Sequence, residues 1–272
     1  MDARGDDGAA LSQGAALFER RGDLFCPSLY AQGPWAPDLQ FGGAPAALVA
    51  TLVEEVPALV PMQVARLTVD LLRPVPLAPL QADVVVVREG KRIQVIGVAL
   101  LADGIEVVRA TALRLRVGDL GEGDVPDGRA PTPLPFGPRE TDDEIFPMSP
   151  PGSRLAVEYL HQGVGGFFRA PTWVRLRVAV IAGRAVRPVA RLAYTADLAS
   201  GIGHRPELPY TGINADLTVN IVRHPEGEWL CQDGVGWISR SGIGQVRATI
   251  SDSVGMCATV SMARLVERLA EA

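Results

Sequence analysis

The alternation of hydrophobic and polar positions predicts two arrays of β-strands, each of which follows a helix. In the first array, apolar or alternating runs of strand length are separated by short turns such as Ala-Asp-Gly at 102–104. The four predicted strands span residues 64–73, 80–89, 92–102 and 106–116. A helix followed by such a meander is typical of an α+β fold and differs from the alternating strands and helices of a parallel sheet.

A strongly apolar helix is predicted at residues 44–56, ahead of the first array. Pro45 lies in its first turn, where a missing N–H group costs no hydrogen bond, and Pro57 and Pro61 follow its end. Alanine, leucine and valine occupy nearly every side of this helix. The continuous apolar surface indicates that other elements cover the helix on most sides.

In the second half of the chain, three predicted strands precede a helix, and four further strands then repeat the order of the first half. A helix is predicted at residues 186–199, with Pro188 near its start. The predicted strands span residues 155–161, 167–170, 172–180, 217–223, 228–238, 242–251 and 255–265.

A sequence repeat relates the two halves. Residues 67–73 (LTVDLLR) and 217–223 (LTVNIVR) match 150 positions apart, and Arg114 and Arg264 keep the same spacing. Two matches in register, with the same elements between them, predict a tandem repeat. We predict an N-terminal tail at residues 1–24, a first unit at 25–117, a proline- and glycine-rich linker at 118–151 and a second unit at 152–268.

Composition and charge narrow the class of protein. Hydrophobic residues make up 47% and charged residues 21% of the chain, which is typical of a globular protein. No run of about 18 apolar residues occurs, and the acidic first residues lack the order of a secretory signal, so we expect a cytoplasmic protein without a membrane partner. The net charge of −5 and the dispersed arginines disfavour nucleic-acid binding.

The reactive residue types do not indicate a metal or a cofactor. The three cysteines form no C-x-x-C pair and keep no metal-ligand spacing to the three histidines. Neither a G-x-S-x-G elbow nor a G-x-x-x-x-G-K-[ST] phosphate loop occurs. The glycine-rich segments at 163–166 and 201–203 lack a strand–turn–helix context, and we interpret them as turns.

Two features of the residues themselves suggest a catalytic site. Asp197 is the only acidic residue in the mostly apolar stretch 189–199, so desolvation would raise its pKa towards that of a useful base; an exposed helix aspartate is the alternative. Gly42 and Gly43 precede the first helix, where N–H groups and the helix dipole suit an oxyanion; close packing is the alternative. In a pair of units, the aspartate of one half could lie near the glycines of the other.

Several segments resemble the double hot-dog acyl-CoA thioesterases related to bacterial acyl-CoA thioesterase II. They are LQFGGAPAAL at 39–48, LRPVP at 72–76, DLTV at 216–219, RHP at 223–225 and EW at 228–229. The resemblance covers roughly residues 25–116 and 155–266. It implies a tandem (double) hot-dog fold of the α+β class, in which each unit is a long helix wrapped by an antiparallel sheet.

The resemblance also implies thioester hydrolysis without a covalent intermediate. The family's water-holding aspartate corresponds to Asp197, and its hydroxyl or amide residue to Asn214. Its glutamine of the last strand corresponds to Ser261, which has a shorter side chain, and Phe41 stands where many members have histidine. Asp216 and Thr218 lie close to Asn214 in sequence and, together with Phe41, are expected at the substrate pocket, although the matching position of Thr68 favours a strand role for Thr218.

The function expected from these observations is hydrolysis of an acyl-CoA or acyl-carrier thioester. Asp197, Asn214 and Ser261 would hold the attacking water, and Gly42 and Gly43 would donate to the oxyanion. Two alternatives remain at this point: a non-hydrolytic acyl-binding protein, and a hot-dog dehydratase or cyclase of specialised metabolism. Pairing of sheet edges suggests that the protein can form homo-oligomers.

Overall fold

The two predicted arrays of strands are joined in one sheet. The computed structural model describes residues 14–121, 156–161, 171–202 and 210–268. The elements of the first half are β1 (Ala16–Arg21), β2 (Leu24–Pro27), a 3-10 turn (Leu29–Ala31), α1 (Gly43–Glu55), β3 (Met62–Leu71), β4 (Leu80–Arg88), β5 (Ile93–Ala102) and β6 (Ile105–Arg116). The helix and the four-strand meander predicted for this half are confirmed.

The second half again has a helix, here a shorter one, which is followed in sequence by the four strands of the repeat. Its elements are β7 (Val157–His161), β8 (Thr172–Leu176), β9 (Ala179–Ile181), α2 (Pro188–Asp197), the short α3 (Ala199–Ile202), β10 (Tyr210–Asn214), β11 (Asp216–Ile221), β12 (Trp229–Ile238), β13 (Ile243–Ser251) and β14 (Met256–Arg268). The order across the sheet is β7-β8-β12-β13-β14-β11-β3-β6-β5-β4-β2-β1-β9, and β10 also pairs with β14.

The halves meet where β3 and β11 pair antiparallel. Thr68 lies directly opposite Thr218, and their hydroxyl oxygens are 3.2 Å apart. The neighbouring pairs, Leu67 with Val219 and Val69 with Leu217, exchange when 150 is added to one number and subtracted from the other. An approximate two-fold axis therefore passes through the threonine pair, as in an isologous dimer interface.

The two helices pack against each other in antiparallel directions on the buried face of this sheet. In α1 every residue from Gly43 to Val53 is buried, as expected for a helix with a continuous apolar surface. Burial of apolar surface contributes about 25 cal/mol per Å², so the packing of such a helix stabilises the fold.

The edges of the sheet differ from the predicted division into units. Ala16–Arg21, within the predicted tail, forms β1, because Ala16, Leu17 and Phe18 are apolar enough to be buried there. The predicted strand 172–180 is broken into β8 and β9, and β9 pairs in parallel with β1 at the opposite edge of the sheet. The predicted strand 167–170 and the linker beyond residue 121 lie outside the described residues.

Within the parts of the chain that the structure describes, no helix is both long and apolar enough to span a bilayer.

Candidate active site

Asp197 is a buried carboxylate at the contact between the two helices. It is the last residue of α2 and is 2% exposed. Its Oδ1 accepts a hydrogen bond of 2.8 Å from Asn214 Nδ2, and the carboxylate also accepts the backbone N–H of Gly43 at the start of α1. The first turn of α1 therefore offers its positive dipole end to a carboxylate that the other half supplies.

The glycine pair makes this close approach possible. A Cβ atom at Gly42 would lie 2.9 Å from Asp197 Oδ2, and one at Gly43 would lie 2.8 Å from the carbonyl oxygen of Tyr194. The structure thus brings the two glycines to Asp197, in support of the predicted composite site. It also changes the expected role of Gly43, because its N–H group holds the carboxylate and cannot point at a substrate oxyanion.

Asn214 reaches the carboxylate because of a β-bulge. Asn214 lies opposite Arg264, whereas Thr218 lies opposite Ser261, so β10 and β11 contain one more residue than β14 between these pairs. The extra residue is Ala215, and a bulge reverses the faces on which residues before and after it lie. Asn214 therefore faces the helices, while Thr218 faces away from them.

Arg264 is the functional candidate that sequence reasoning missed. It is 5% exposed, and its guanidinium lies over Gly212, where a Cβ atom would be 2.5 Å from Nη2. The signal was available: Val260, Met262 and Arg264 alternate with polar or exposed positions, which puts an arginine on the apolar face of the last strand.

The electrostatics of the site favour a base that works near neutrality. Burial raises the pKa of Asp197 to about 6, although the hydrogen bond from Asn214, the N–H of Gly43 and the charge of Arg264 each lower it. Burial likewise lowers the pKa of Arg264, and the Asp197 carboxylate opposes that change. A carboxylate with such a pKa is ionised at pH 7 and is more basic than an exposed aspartate.

Asp197, Asn214 and Arg264 line one cavity of about 400 Å³. Its other walls are mainly apolar and come from both halves, among them Trp35, Leu39, Phe41, Leu71, Val75, Leu198 and Ile213. Phe41, predicted as a pocket residue, packs on Tyr194 with ring centroids 5.3 Å apart. A cavity of this size, apolar apart from a few convergent polar groups, suits a small organic ligand.

Ser261 and Thr218 are not brought to this cavity. Ser261 is three positions from Arg264 on a regular stretch of β14, so the two side chains lie on opposite faces of the sheet. Ser261 borders a groove on the outer face together with Asn220 and Arg247. Thr218 lies beside it on that same face and bonds Thr68, which supports a strand role.

Asp216 has a structural position as well. Its Oδ1 accepts the backbone N–H of Ala263 at 2.7 Å, next to the bulge residue Ala215, whose N–H bonds the carbonyl oxygen of the same Ala263. Asp216 therefore stabilises the bulge that directs Asn214 towards Asp197.

The approximate two-fold axis produces a second carboxylate contact with different chemistry. The Glu54 carboxylate accepts the N–H of Val189 at the start of α2, close to Arg114, the counterpart of Arg264. Burial raises the pKa of Glu54 to about 7, against the charges of Arg187, Arg114 and Arg191. Opposite Arg114 stands Val64, at the same bulge, so this contact has no amide in place of Asn214.

The fold is shared with hot-dog and thioesterase proteins of known structure. A hot-dog protein of unknown function from Alicyclobacillus acidocaldarius has a TM-score of 0.68 and 19% identity, with 95% of this chain and 98% of that chain covered. An acyl-CoA thioesterase II from Mycobacterium marinum has a TM-score of 0.61 and 16% identity, with coverage of 93% and 95%. A thioesterase candidate from Novosphingobium aromaticivorans gives 0.64 and 22%, with coverage of 94% and 99%.

The sequence itself identifies the family. The N-terminal domain of acyl-CoA thioesterases matches residues 31–115, and their C-terminal domain matches residues 126–262. The chain therefore belongs to the acyl-CoA thioesterase family and is a thioester hydrolase. No curated protein sequence matches it.

Proposed function

We propose that the protein hydrolyses acyl-CoA with a water molecule that Asp197 positions and deprotonates. The observation that carries this proposal is the buried Asp197 carboxylate, with its raised pKa, on the wall of a largely apolar cavity. The apolar walls would hold the acyl chain. In this arrangement each helix is enclosed by its own half of the sheet, and the cavity lies where the two halves meet.

Asn214 would orient the water. Its Nδ2 group donates to Asp197, and its Oδ1 is buried without a hydrogen-bond partner among the described residues. A water molecule at that place would give one proton to Asp197 and hydrogen-bond Asn214 Oδ1 with the other. Ser261 has no part in this mechanism because of its position on the outer face.

The reaction then follows from general acid–base chemistry. The water oxygen attacks the thioester carbonyl carbon while Asp197 takes its proton, and a tetrahedral intermediate forms. When the intermediate collapses, the C–S bond breaks, and the departing sulfur takes the proton from Asp197. The products are a carboxylic acid and free CoA, and no covalent acyl-enzyme is formed.

Release of free thiol tests the proposal. It would be followed with acyl-CoA substrates of increasing chain length, and with an acyl carrier protein substrate, for the native protein and for Asp197→Asn. We expect acyl-CoA turnover that falls about a hundredfold or more in Asp197→Asn. Glu54→Gln is the matched control, because it also removes a carboxylate that accepts an N–H group at the start of a helix, and it should keep native activity.

Two results would contradict the proposal. Binding of acyl-CoA without turnover by the native protein would favour a non-hydrolytic acyl-binding protein. Native turnover by Asp197→Asn would leave the hydrolase standing but would remove Asp197 from the mechanism. A cytoplasmic location and the formation of homo-oligomers stay predictions, which fractionation and light scattering can test.

A further inference from the structure

A thioester hydrolase needs a donor for the oxygen atom that becomes negative during attack. The N–H group of Gly43 is engaged with Asp197, and so is Nδ2 of Asn214. The other side-chain amide on the cavity wall, Gln40 Nε2, donates to the carbonyl oxygen of Pro76 at 2.8 Å. Ser200 Oγ donates to the backbone oxygen of Asp197.

Arg264 is a buried, positively charged residue that lines the cavity. The other arginine at this cavity, Arg73, is exposed, whereas Arg264 is 5% exposed. Arg264 lies opposite Asn214 on the paired strand, and its charge interacts with Asp197. A guanidinium carries five N–H donors in a rigid fork, so it can serve a carboxylate and a second oxygen at once.

The backbone around Arg264 is shaped for its guanidinium. Gly212, on the strand that pairs with β14, is buried and lines the same cavity, and a Cβ atom there would be 2.5 Å from Nη2. A buried arginine is costly unless its charge is used or paired. The space left by Gly212 keeps this charge on the cavity wall beside Asp197.

We propose that Arg264 is a further catalytic residue, whose guanidinium binds the thioester carbonyl oxygen and stabilises the negative charge that develops on it. This inference rests on the proposed hydrolysis by Asp197. In the tetrahedral intermediate, the new C–O bond leaves the former carbonyl oxygen with the electron pair of the C=O bond, and Arg264 faces that charge until the C–S bond breaks.

The counterpart in the first half shows what a purely structural arginine does in this fold. Arg114 occupies the same register position, and it donates to the carbonyl oxygen of Val56 and to Gln94 Oε1. Those bonds tie the end of α1 to the sheet. Arg114→Lys is therefore the matched control, because it changes a buried arginine on the equivalent strand away from the cavity.

The experiment compares kcat and KM for Arg264→Met, Arg264→Lys, Gly212→Ala and Arg114→Lys, with hexanoyl-CoA and its ω-carboxyl analogue adipoyl-CoA. We expect Arg264→Met to lower kcat about a hundredfold or more with both substrates, at little change in KM, and Arg264→Lys to recover part of the loss. Gly212→Ala retains the charge but displaces it, and should lower kcat to an intermediate value. Arg114→Lys should keep the native kcat for the folded fraction.

The pH profile reports whether the charge of Arg264 acts on Asp197 at the active site. The positive charge of Arg264 favours ionised Asp197, and the other groups that face this carboxylate are Asn214 and the N–H of Gly43. Without that charge, the acidic limb of kcat/KM should move to higher pH in Arg264→Met. In Arg114→Lys the limb should stay in place.

Three outcomes would overturn the inference. They are a kcat for Arg264→Met within about threefold of native, a loss confined to KM, and a loss seen only with adipoyl-CoA, which would make Arg264 a binding group for an acyl carboxylate. The two proposals fail separately. If Asp197→Asn abolishes hydrolysis and Arg264→Met does not, only the proposed role of Arg264 is lost. If Asp197→Asn keeps the activity of the native protein, the proposed mechanism itself is lost.

Discussion

Asp197 Oδ2 lies so close to Gly42 that a Cβ atom on residue 42 would be only 2.9 Å from it. Gly42 has φ of −58°, which any residue adopts, so Gly42→Ala should fold. The added methyl group should displace the carboxylate and lower kcat about tenfold or more, because proton transfer depends on near-exact placement. Gly118→Ala, with no atom within 4 Å of the added Cβ, is the control. Native kcat in Gly42→Ala would contradict the proposed site.

The pH dependence of hydrolysis should report the titration of Asp197. Burial raises its pKa to about 6, and only the ionised form can accept a proton from water. We therefore expect kcat/KM to be constant above pH 7 and to fall as the pH drops through about 6. Steady-state rates between pH 4.5 and 8.5 check this, and an acidic limb near pH 4 would assign the base to a different environment.

The same carboxylate should destabilise the folded protein at neutral pH. Its folded-state pKa of about 6 exceeds the ordinary value of 3.8, so stability from its protonated form is complete below pH 3.8 and is lost as the pH rises through 6. At pH 8 the cost is on the order of 2–3 kcal/mol. Asp197→Asn should therefore resist urea better than native protein at pH 8, with a smaller difference at pH 5. An equal loss of stability at both pH values would refute this.

Ser261 provides a test of the two faces of the sheet. It lies three positions from Arg264 on β14 and borders the outer groove, so its hydroxyl group does not face Asp197. Ser261→Ala should keep kcat within about twofold of native, whereas Asn214→Ala should lose about tenfold or more. A large loss in Ser261→Ala would restore the role that the family resemblance implies.

The loop after β11 should depend on a buried ion pair. Burial raises the pKa of Asp252, but the paired hydrogen bonds from Arg223 and the N–H groups of Glu226 and Val254 outweigh this and hold it well below its usual range. Its stabilisation is present above the ordinary pKa of 3.8 and is lost as the pH falls towards the folded-state pKa.

Removing one partner of this pair leaves the other charge without compensation. Asp252→Asn should cost about 3–5 kcal/mol in urea denaturation at pH 7. The control is Glu106→Gln, which breaks an exposed pair with Arg109 and should cost much less than Asp252→Asn. Equal effects of the two variants would show that the buried pair contributes no more than the exposed one.

Much of the fold could be predicted because it depends on local patterns. The apolar surface of α1 can be recognised within one short segment of the sequence. The same holds for the alternation of apolar and polar residues along β3 to β6 and along β11 to β14. The repeat of residues 67–73 at 217–223 then predicted that the halves are equivalent. Two equivalent strands can pair antiparallel about a two-fold axis, and β3 and β11 do so with Thr68 opposite Thr218. The position of β9 at the opposite edge of the sheet from β8 was not predictable. The sequence pattern of β9 or β1 does not show that these two strands pair in parallel with each other.

By itself, the sequence determined most of the helices and strands, the repeat and the candidates Asp197, Asn214 and the glycine pair. The tertiary structure decided which of these meet. A single bulge residue, Ala215, moves Asn214 to the helix side and leaves Ser261 on the other, because faces alternate with a period of two and one extra residue reverses them. The tertiary structure also placed Arg264 beside Asp197. These two residues are more than 60 positions apart in sequence, and their contact depends on the register of the strands, which no local pattern contains.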